Sequence, residues 1–233
     1  MRKYVFLFML MLPGWVFAQN KQIIEANSGE DLSGKVSSQL QYLFPEFTDG
    51  EVYFKKSPKG NGKLNYNMLV GEMQFLDEDG EVMTFDVGDV VTVNINDRIF
   101  FPYKGREFTE ELLSTDIGQL RVLRKGNVAP YAKKGAYGTS SSTASIASYS
   151  NISADNNSRQ FHLSVTSDVL ISVRYFYYLI GANGKYTQIT NVKSFTKQFP
   201  VYRTQIEAFV KEHNIRFDKA DDLKALLLYC NEL

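Results

Sequence analysis

The sequence predicts an α+β fold that is mainly antiparallel β. The expected sheet is a hairpin meander, open or barrel-like, with a short N-terminal helix and two C-terminal helices. Three observations predict it. Apolar and polar residues alternate through most of residues 51–125, which is the period of strands with one face on a core. Turn-forming clusters break the alternation at short intervals, and this favours hairpins over crossovers. The chain ends in apolar residues spaced three and four apart, the period of helices.

Residues 1–18 stand apart from the rest. Arg2 and Lys3 precede an unbroken apolar run from Val5 to Leu12; Pro13 and Gly14 end it, and Val16-Phe17-Ala18 has the form of a small-residue cleavage site. This pattern predicts a secretory signal peptide, removed after Ala18 to leave Gln19 first. No cysteine follows the run, so the exported product is not expected to be a lipoprotein. No later apolar run approaches the ~18–20 residues of a membrane span, so the mature chain is expected to have none. The expected location is the periplasm or the outer membrane.

Across the whole chain 26 Lys+Arg balance 26 Asp+Glu. That balance argues against nucleic acid as a partner, which normally requires a basic surface. Cys230 is the only cysteine, so no intrachain disulfide forms and stability rests on the core. With 233 residues, 44% of them hydrophobic, the chain is long enough to build one.

Residues 19–132 are expected to hold the N-terminal helix and the hairpin sheet. Val36, Leu40, Leu43 and Phe44 share one helical face and predict a helix near 31–43, stopped by Pro45. Strand alternation follows: Leu64, Tyr66 and Met68 against Lys63, Asn65 and Asn67; Met73 and Phe75; Met83, Phe85 and Val87; Val91, Val93 and Ile95. Turns are expected at Lys59–Gly62, Asp77–Gly80 and Asn96-Asp97. A small helix or turn is expected around Thr109–Leu113, before a strand at Leu120 and Val122.

Residues 133–158, rich in Ser, Gly and Asn, lack the apolar content for a core and predict a surface loop. Residues 159–233 resume with strands at Phe161–Val165 and Val169–Ile180, a turn at Gly181–Gly184, and a hairpin partner at Lys185–Thr190. A helical hairpin closes the chain. Its first helix begins at Pro200 and carries Tyr202, Ile206, Phe209 and Val210. Its second is capped by Asp218, has Asp221 and Asp222 in its first turn, and bears the stripe Leu223, Leu226, Leu227 and Cys230. These helices are expected to cover an open sheet face within one domain shared with 19–132.

The segments Gln41-Tyr42-Leu43-Phe44-Pro45-Glu46-Phe47, Leu64-Asn65-Tyr66-Asn67-Met68-Leu69 and Gly71-Glu72-Met73-Gln74-Phe75 resemble a group of uncharacterised exported β-rich proteins of Bacteroidota. That group shares an LNYN…GEMQF signature, a segment like Gly135 to Ser142, and a helical tail like Phe199-Pro200…Leu228. The likeness covers most of the mature chain. It implies an envelope setting and supplies no site residues.

Catalytic groups are scarce. His162 falls on the polar side of its strand and His213 ends a helix, where a cation is favourable. No HExxH or CxxC frame is present. Cys230, on an apolar stripe, is expected to be buried and inert. Ser194-Phe195-Thr196-Lys197 matches SxxK, but the SDN and KTG partners are absent, so Ser194 reads as a helix cap. Gly60-Asn61-Gly62-Lys63 lacks the GxxxxGK[ST] frame and reads as a loop. Asp77, Asp79 and Glu81 are candidate cation ligands in a loop too short for the 12-residue calcium design, and Asp-Gly is the expected pair of a hairpin turn.

Tyr175-Phe176-Tyr177-Tyr178 is the richest aromatic run. Alternation puts Tyr175 and Tyr177 on one sheet face, Phe176 and Tyr178 on the other. Coverage on both faces is the plain expectation. The sharper one makes Tyr175, Tyr177 and Tyr178 a binding surface.

Export with few catalytic groups predicts a non-catalytic envelope protein acting through a binding surface, as an accessory subunit of a periplasmic or outer-membrane assembly. The alternative is a carbohydrate or small-ligand binding module using the aromatic run and the Asn-rich strand faces. A third is an envelope hydrolase built on dispersed carboxylates. The expected partner is an envelope protein or glycan, and no cofactor is implied.

Overall fold

Two long antiparallel strands, Gly118–Pro130 and Val169–Ile180, pair along their whole length and organise the molecule. The computed structural model describes residues 21–25, 30–84, 86–131, 153–154, 161–162, 164–165 and 168–233. The expected signal peptide and nearly all of the serine-rich segment lie outside the described residues.

In chain order the elements begin with β1 (Lys21–Ile24), β2 (Glu30–Asp31), α1 (Ser38–Gln41), β3 (Thr48–Phe54), β4 (Gly60–Asn67), β5 (Glu72–Leu76) and β6 (Val82–Thr84). They continue with β7 (Val90–Ile95), β8 (Arg98–Pro102), β9 (Phe108–Thr115), β10 (Gly118–Pro130), β11 (Ser153–Ala154), β12 (Phe161–His162) and β13 (Ser164–Val165). The chain finishes with β14 (Val169–Ile180), β15 (Tyr186–Ile189), α2 (Val192–Thr196), α3 (Arg203–Glu212) and α4 (Ala220–Asn231).

One open antiparallel sheet runs β1-β14-β10-β9-β8-β7-β3-β4-β5-β6, with β15 on the same edge of β14 as β1. Two small ladders, β11 with β12 and β13 with β2, lie apart from it. Hairpins join β7 through β10 in sequence, as short turns require. Asn96 takes a φ of 54° in the β7–β8 turn, a conformation that asparagine tolerates better than most residues.

The odd-numbered residues of β14 face one side, and two cores share that side. Val169, Ile171 and Val173 pack with Leu64, Tyr66, Met73, Val93 and Phe100, and Leu32, Val36 and Leu40 join the same cluster. Tyr177 and Leu179 continue along the strand into a second core with Leu120, Val122, Phe195, Ile206, Leu223, Leu226 and Leu227. Helices α2 and α4 cover the sheet face at β9, β10 and β15; of the two tail helices expected to do so, α4 lies on the sheet, whereas α3, the one expected from Pro200, packs chiefly against α2 and α4. On the opposite, outer face, Leu123, Tyr178 and Ile180 gather with Tyr103, Phe176 and Tyr186.

Several expectations need correction. The helix expected near 31–43 is only a 3-10 turn at Ser33–Lys35 followed by α1. From Tyr42 the chain leaves helical geometry to lie along β4, where the Leu43 amide donates to the Tyr66 carbonyl. Thr109–Leu113 is part of β9, not a helix or turn: its polar pair is split by strand geometry, and Glu110 turns inward onto Arg124.

Gly60-Asn61-Gly62 belongs to β4 rather than a loop, with Gly62 opposite Gly50. A Cβ on Gly50 would meet the Asn94 carbonyl oxygen and Leu64 Cδ1 at 2.7 Å each, so the glycine permits a close approach of strands. The helix N-cap before Ser194 is Asn191, and Ser194 completes the box three residues later: its amide donates to Asn191 Oδ1, and its hydroxyl accepts from the Asn191 amide. Asp218 does not cap α4, whose N-cap is Lys219; it pairs instead with Arg216 at 2.9 Å.

Candidate functional site

The aromatic run splits as alternation predicts, and the split decides what each ring can do. Tyr177 is 6% exposed within the helix-covered core. Tyr175, on the same side, has its ring 5.8 Å from the Arg124 guanidinium carbon. Tyr178 is on the outer face, in a cluster of three tyrosines: Tyr103 and Tyr186 lie 4.8 Å apart between centroids, and Tyr178 lies 5.2 and 5.9 Å from them. The three candidates Tyr175, Tyr177 and Tyr178 therefore do not form one surface. Tyr178 joins the outer-face aromatic cluster, with partners the sequence did not single out.

Burial first, then hydrogen bonding with Tyr103, pushes the Tyr178 phenol well above the usual tyrosine value. The ring is a neutral wall at physiological pH.

Arg121 stands beside this cluster, directly opposite Tyr178 across β10 and β14. It is 7% exposed. Its guanidinium lies 3.5 Å above the Phe101 ring. Nη1 donates to the Tyr186 hydroxyl at 2.5 Å and Nη2 to Gln119 Oε1 at 2.5 Å. Its Nε has no hydrogen-bond partner. Among the described residues no carboxylate pairs with it; Glu111, its cross-strand neighbour on β9, makes no ion pair. A buried guanidinium keeps its charge, so the cost of taking it out of water is offset here only by ring faces and neutral acceptors.

The outer face continues in register along the same two strands. Leu123 stands opposite Phe176, and Lys125 opposite Arg174. Lys125 pairs with Glu107 at 2.5 Å. Arg174 is exposed and, among the described residues, has Asn127 Oδ1 at 3.5 Å as its hydrogen-bond partner. Lys104 places its ammonium 5.1 Å from the Tyr103 ring centroid.

Of the asparagines on the strand faces, Asn65 and Asn67 are enclosed and offer nothing to a ligand. Asn65 and Asn67 are 1% and 0% exposed. Asn65 binds the Phe44 amide and the Phe44 and Glu46 carbonyls, while Asn67 binds Gln74 and the Leu69 amide. Alternation predicted polar residues in water; the chain at 42–46 lies against β4 and puts them inside.

The candidate cation ligands at Asp77, Asp79 and Glu81 form a tight turn. Asp77 Oδ1 accepts from the Asp79 and Glu81 amides at 3.0 and 2.8 Å. Among the described residues no group of three His, Cys, Asp or Glu is arranged to hold a metal ion. His213 is stacked on Phe209 with centroids 4.1 Å apart, and Cys230 is 3% exposed.

Glu72 and Glu107 are backbone partners in an isolated bridge beside the starts of β5 and β9, and the Glu107 charge bears on the Glu72 carboxyl while its own carboxylate pairs with Lys125. Burial raises the Glu72 carboxyl above its usual range, against the opposing pull of Arg106. A cleft of about 320 Å³ opens elsewhere, between the β9–β10 and β14–β15 turns and the end of α2. It is lined by Ile117, Leu179, Asn183, Gln198 and Phe199 with the Gly181-Ala182 backbone, and no carboxylate lines it. Neither Glu72 nor Glu107 lines the cleft.

Sequence reasoning missed Arg121, Phe101, Tyr103 and Tyr186. The one available clue was an arginine set between Leu120, Val122 and Leu123 in an apolar strand. No helix among the described residues is long and apolar enough to cross a membrane. Compared with protein families, curated proteins and solved structures, the chain matches none.

Proposed function

We propose that this is an exported, non-catalytic envelope protein that works through the outer face of its sheet. The observation that carries the reading is the distribution of cover. The inner face is filled by two cores and the terminal helices, whereas among the described residues the outer cluster consists of strand and turn residues, with Tyr103, Phe176 and Tyr186 only partly buried. Aromatic rings left at a surface beside arginine are characteristic of binding surfaces. The export half of the reading rests on Arg2-Lys3, the apolar run and Ala18.

Two experiments test it. Exported material should have the intact mass of residues 19–233, and retention of Trp15 would overturn export. Envelope fractions passed over the immobilised protein should yield a partner that the wild type retains and Tyr103→Ala releases. Equal retention by both would remove the outer face from the function.

A further inference from the structure

We infer that Gln19 and Asn20, the first residues left when the signal peptide is removed, seat on the edge of β14 as a continuation of β1. The inference rests on the export reading, which supplies the cut after Ala18, and goes further by giving the new N-terminus a place in the sheet.

The edge of β14 away from β10 is built from two short strands laid end to end. β1 faces Val169 to Ser172, and β15 faces Tyr177 to Ile180. Four positions, 173 to 176, lie between them. There the strand is most open, with Arg174 exposed and Tyr175 37% exposed. β15 does not continue over them, because the chain turns after Ile189 into α2, whose N-cap is Asn191.

Backbone direction marks Val173 as the residue to be met. Along an antiparallel strand, N–H and C=O point together to one neighbour and then, at the next residue, to the other. The Gly126 amide points away from β14 and donates to the Leu69 carbonyl at 2.8 Å. The Arg124 amide, two residues earlier, likewise meets the Tyr66 hydroxyl at 3.3 Å. Gly126 stands opposite Val173, so the two form a non-hydrogen-bonded pair and Val173 turns its N–H and C=O to the far edge. Val173 is 7% exposed, and no described strand stands opposite it on that edge. Backbone groups at a buried residue are nearly always paired.

Register and length name the occupant. β1 sets Lys21 opposite Ser172, which brings Asn20 opposite Val173 and Gln19 opposite Arg174. Asn20 is in phase with Gln22, which faces Ile171, so it can exchange both hydrogen bonds with Val173. Gln19 adds a carboxamide acceptor beside Arg174, whose described partner, Asn127, lies on the β10 side. Continued in register, Ala18 and Phe17 would take the last two positions, and Val16 would meet Tyr177, where Ile189 already stands. The slot accepts the end made by cleavage after Ala18 and excludes the apolar run before it.

The test is hydrogen exchange at the Val173 amide, read by NMR in the protein of residues 19–233 and in that of residues 21–233. The amide should be protected in the first and exchange at least about tenfold faster in the second. Asn20→Pro, which removes the donating amide, should behave like 21–233, and Asn20→Ala, which keeps it, like 19–233. Equal exchange in the two proteins, or protection that appears only when an envelope partner is added, would overturn the inference. Should exported material keep Trp15, the export reading and the seat fall together. Should its mass match 19–233 while Val173 exchanges alike in both proteins, the seat alone falls.

Discussion

Arg124 and Glu110 face each other in the seam between the two inner cores, with Nη2 and Oε2 2.5 Å apart and exposures of only 7% and 4%. Arg98 Nε approaches the other carboxylate oxygen at 3.5 Å, and the Tyr66 hydroxyl donates to the Phe108 carbonyl beside them at 3.0 Å. The pair sits where β9 passes from one core to the other. A buried pair of this kind is weak evidence for stability, but losing one partner leaves the other charged and out of water.

Glu110→Gln should therefore destabilise the fold by about 3–5 kcal/mol. Urea unfolding of the purified variant measures it. A loss under about 1 kcal/mol would mean that water reaches the seam and solvates Arg124.

Leu227 is fully buried in the helix-covered core. Leu227→Ala should cost about 2–5 kcal/mol, through lost transfer energy and the cavity left behind. A shift below about 0.5 kcal/mol in a denaturant melt would reject a core role for α4.

Burial pushes the Cys230 thiol up to about 11. The native protein should resist an aromatic disulfide reagent at pH 8 and react with one equivalent once denatured. Rapid native labelling would indicate that α4 opens locally.

Glu72 has its carboxyl raised above the ordinary value of 4.5, by burial before any other cause. The folded state therefore holds this proton more tightly than the unfolded chain. That contribution to stability is fully present below the unfolded pKa, near 4.5, and is lost as pH rises through the folded value. Glu72→Gln should melt higher than wild type at pH 7, and the gap should close towards pH 4. A gap that does not change with pH would assign the effect to packing.

Much of the fold was legible because local spacing sets it. Met73 and Phe75, Val93 and Ile95, and the Leu223–Leu226–Leu227–Cys230 stripe lie in the strands and helix that their spacing implied. The Tyr175–Tyr178 run divides between two faces by the same geometry. Thr109–Leu113 was misread because adjacent acids followed by leucines have the local look of a helix, and pairing with β8 and β10 overrode it.

By itself the sequence determined the period of each segment, the turns between most strands, and the amphipathic tail that needs a sheet to cover. These depend on dihedral preference and on apolar spacing within a few residues. Only the tertiary structure decided which polar residues are inside and who their partners are. Asn65 and Asn67 alternate like surface residues yet are enclosed, because a segment about twenty residues earlier closes over them. Arg121 meets Tyr186, 65 residues away in the chain, because β15 returns to the edge of β14. Periodicity reports the side to which a residue points; which charges and rings share that side is set by strand order, and strand order is fixed by the packing of the whole chain.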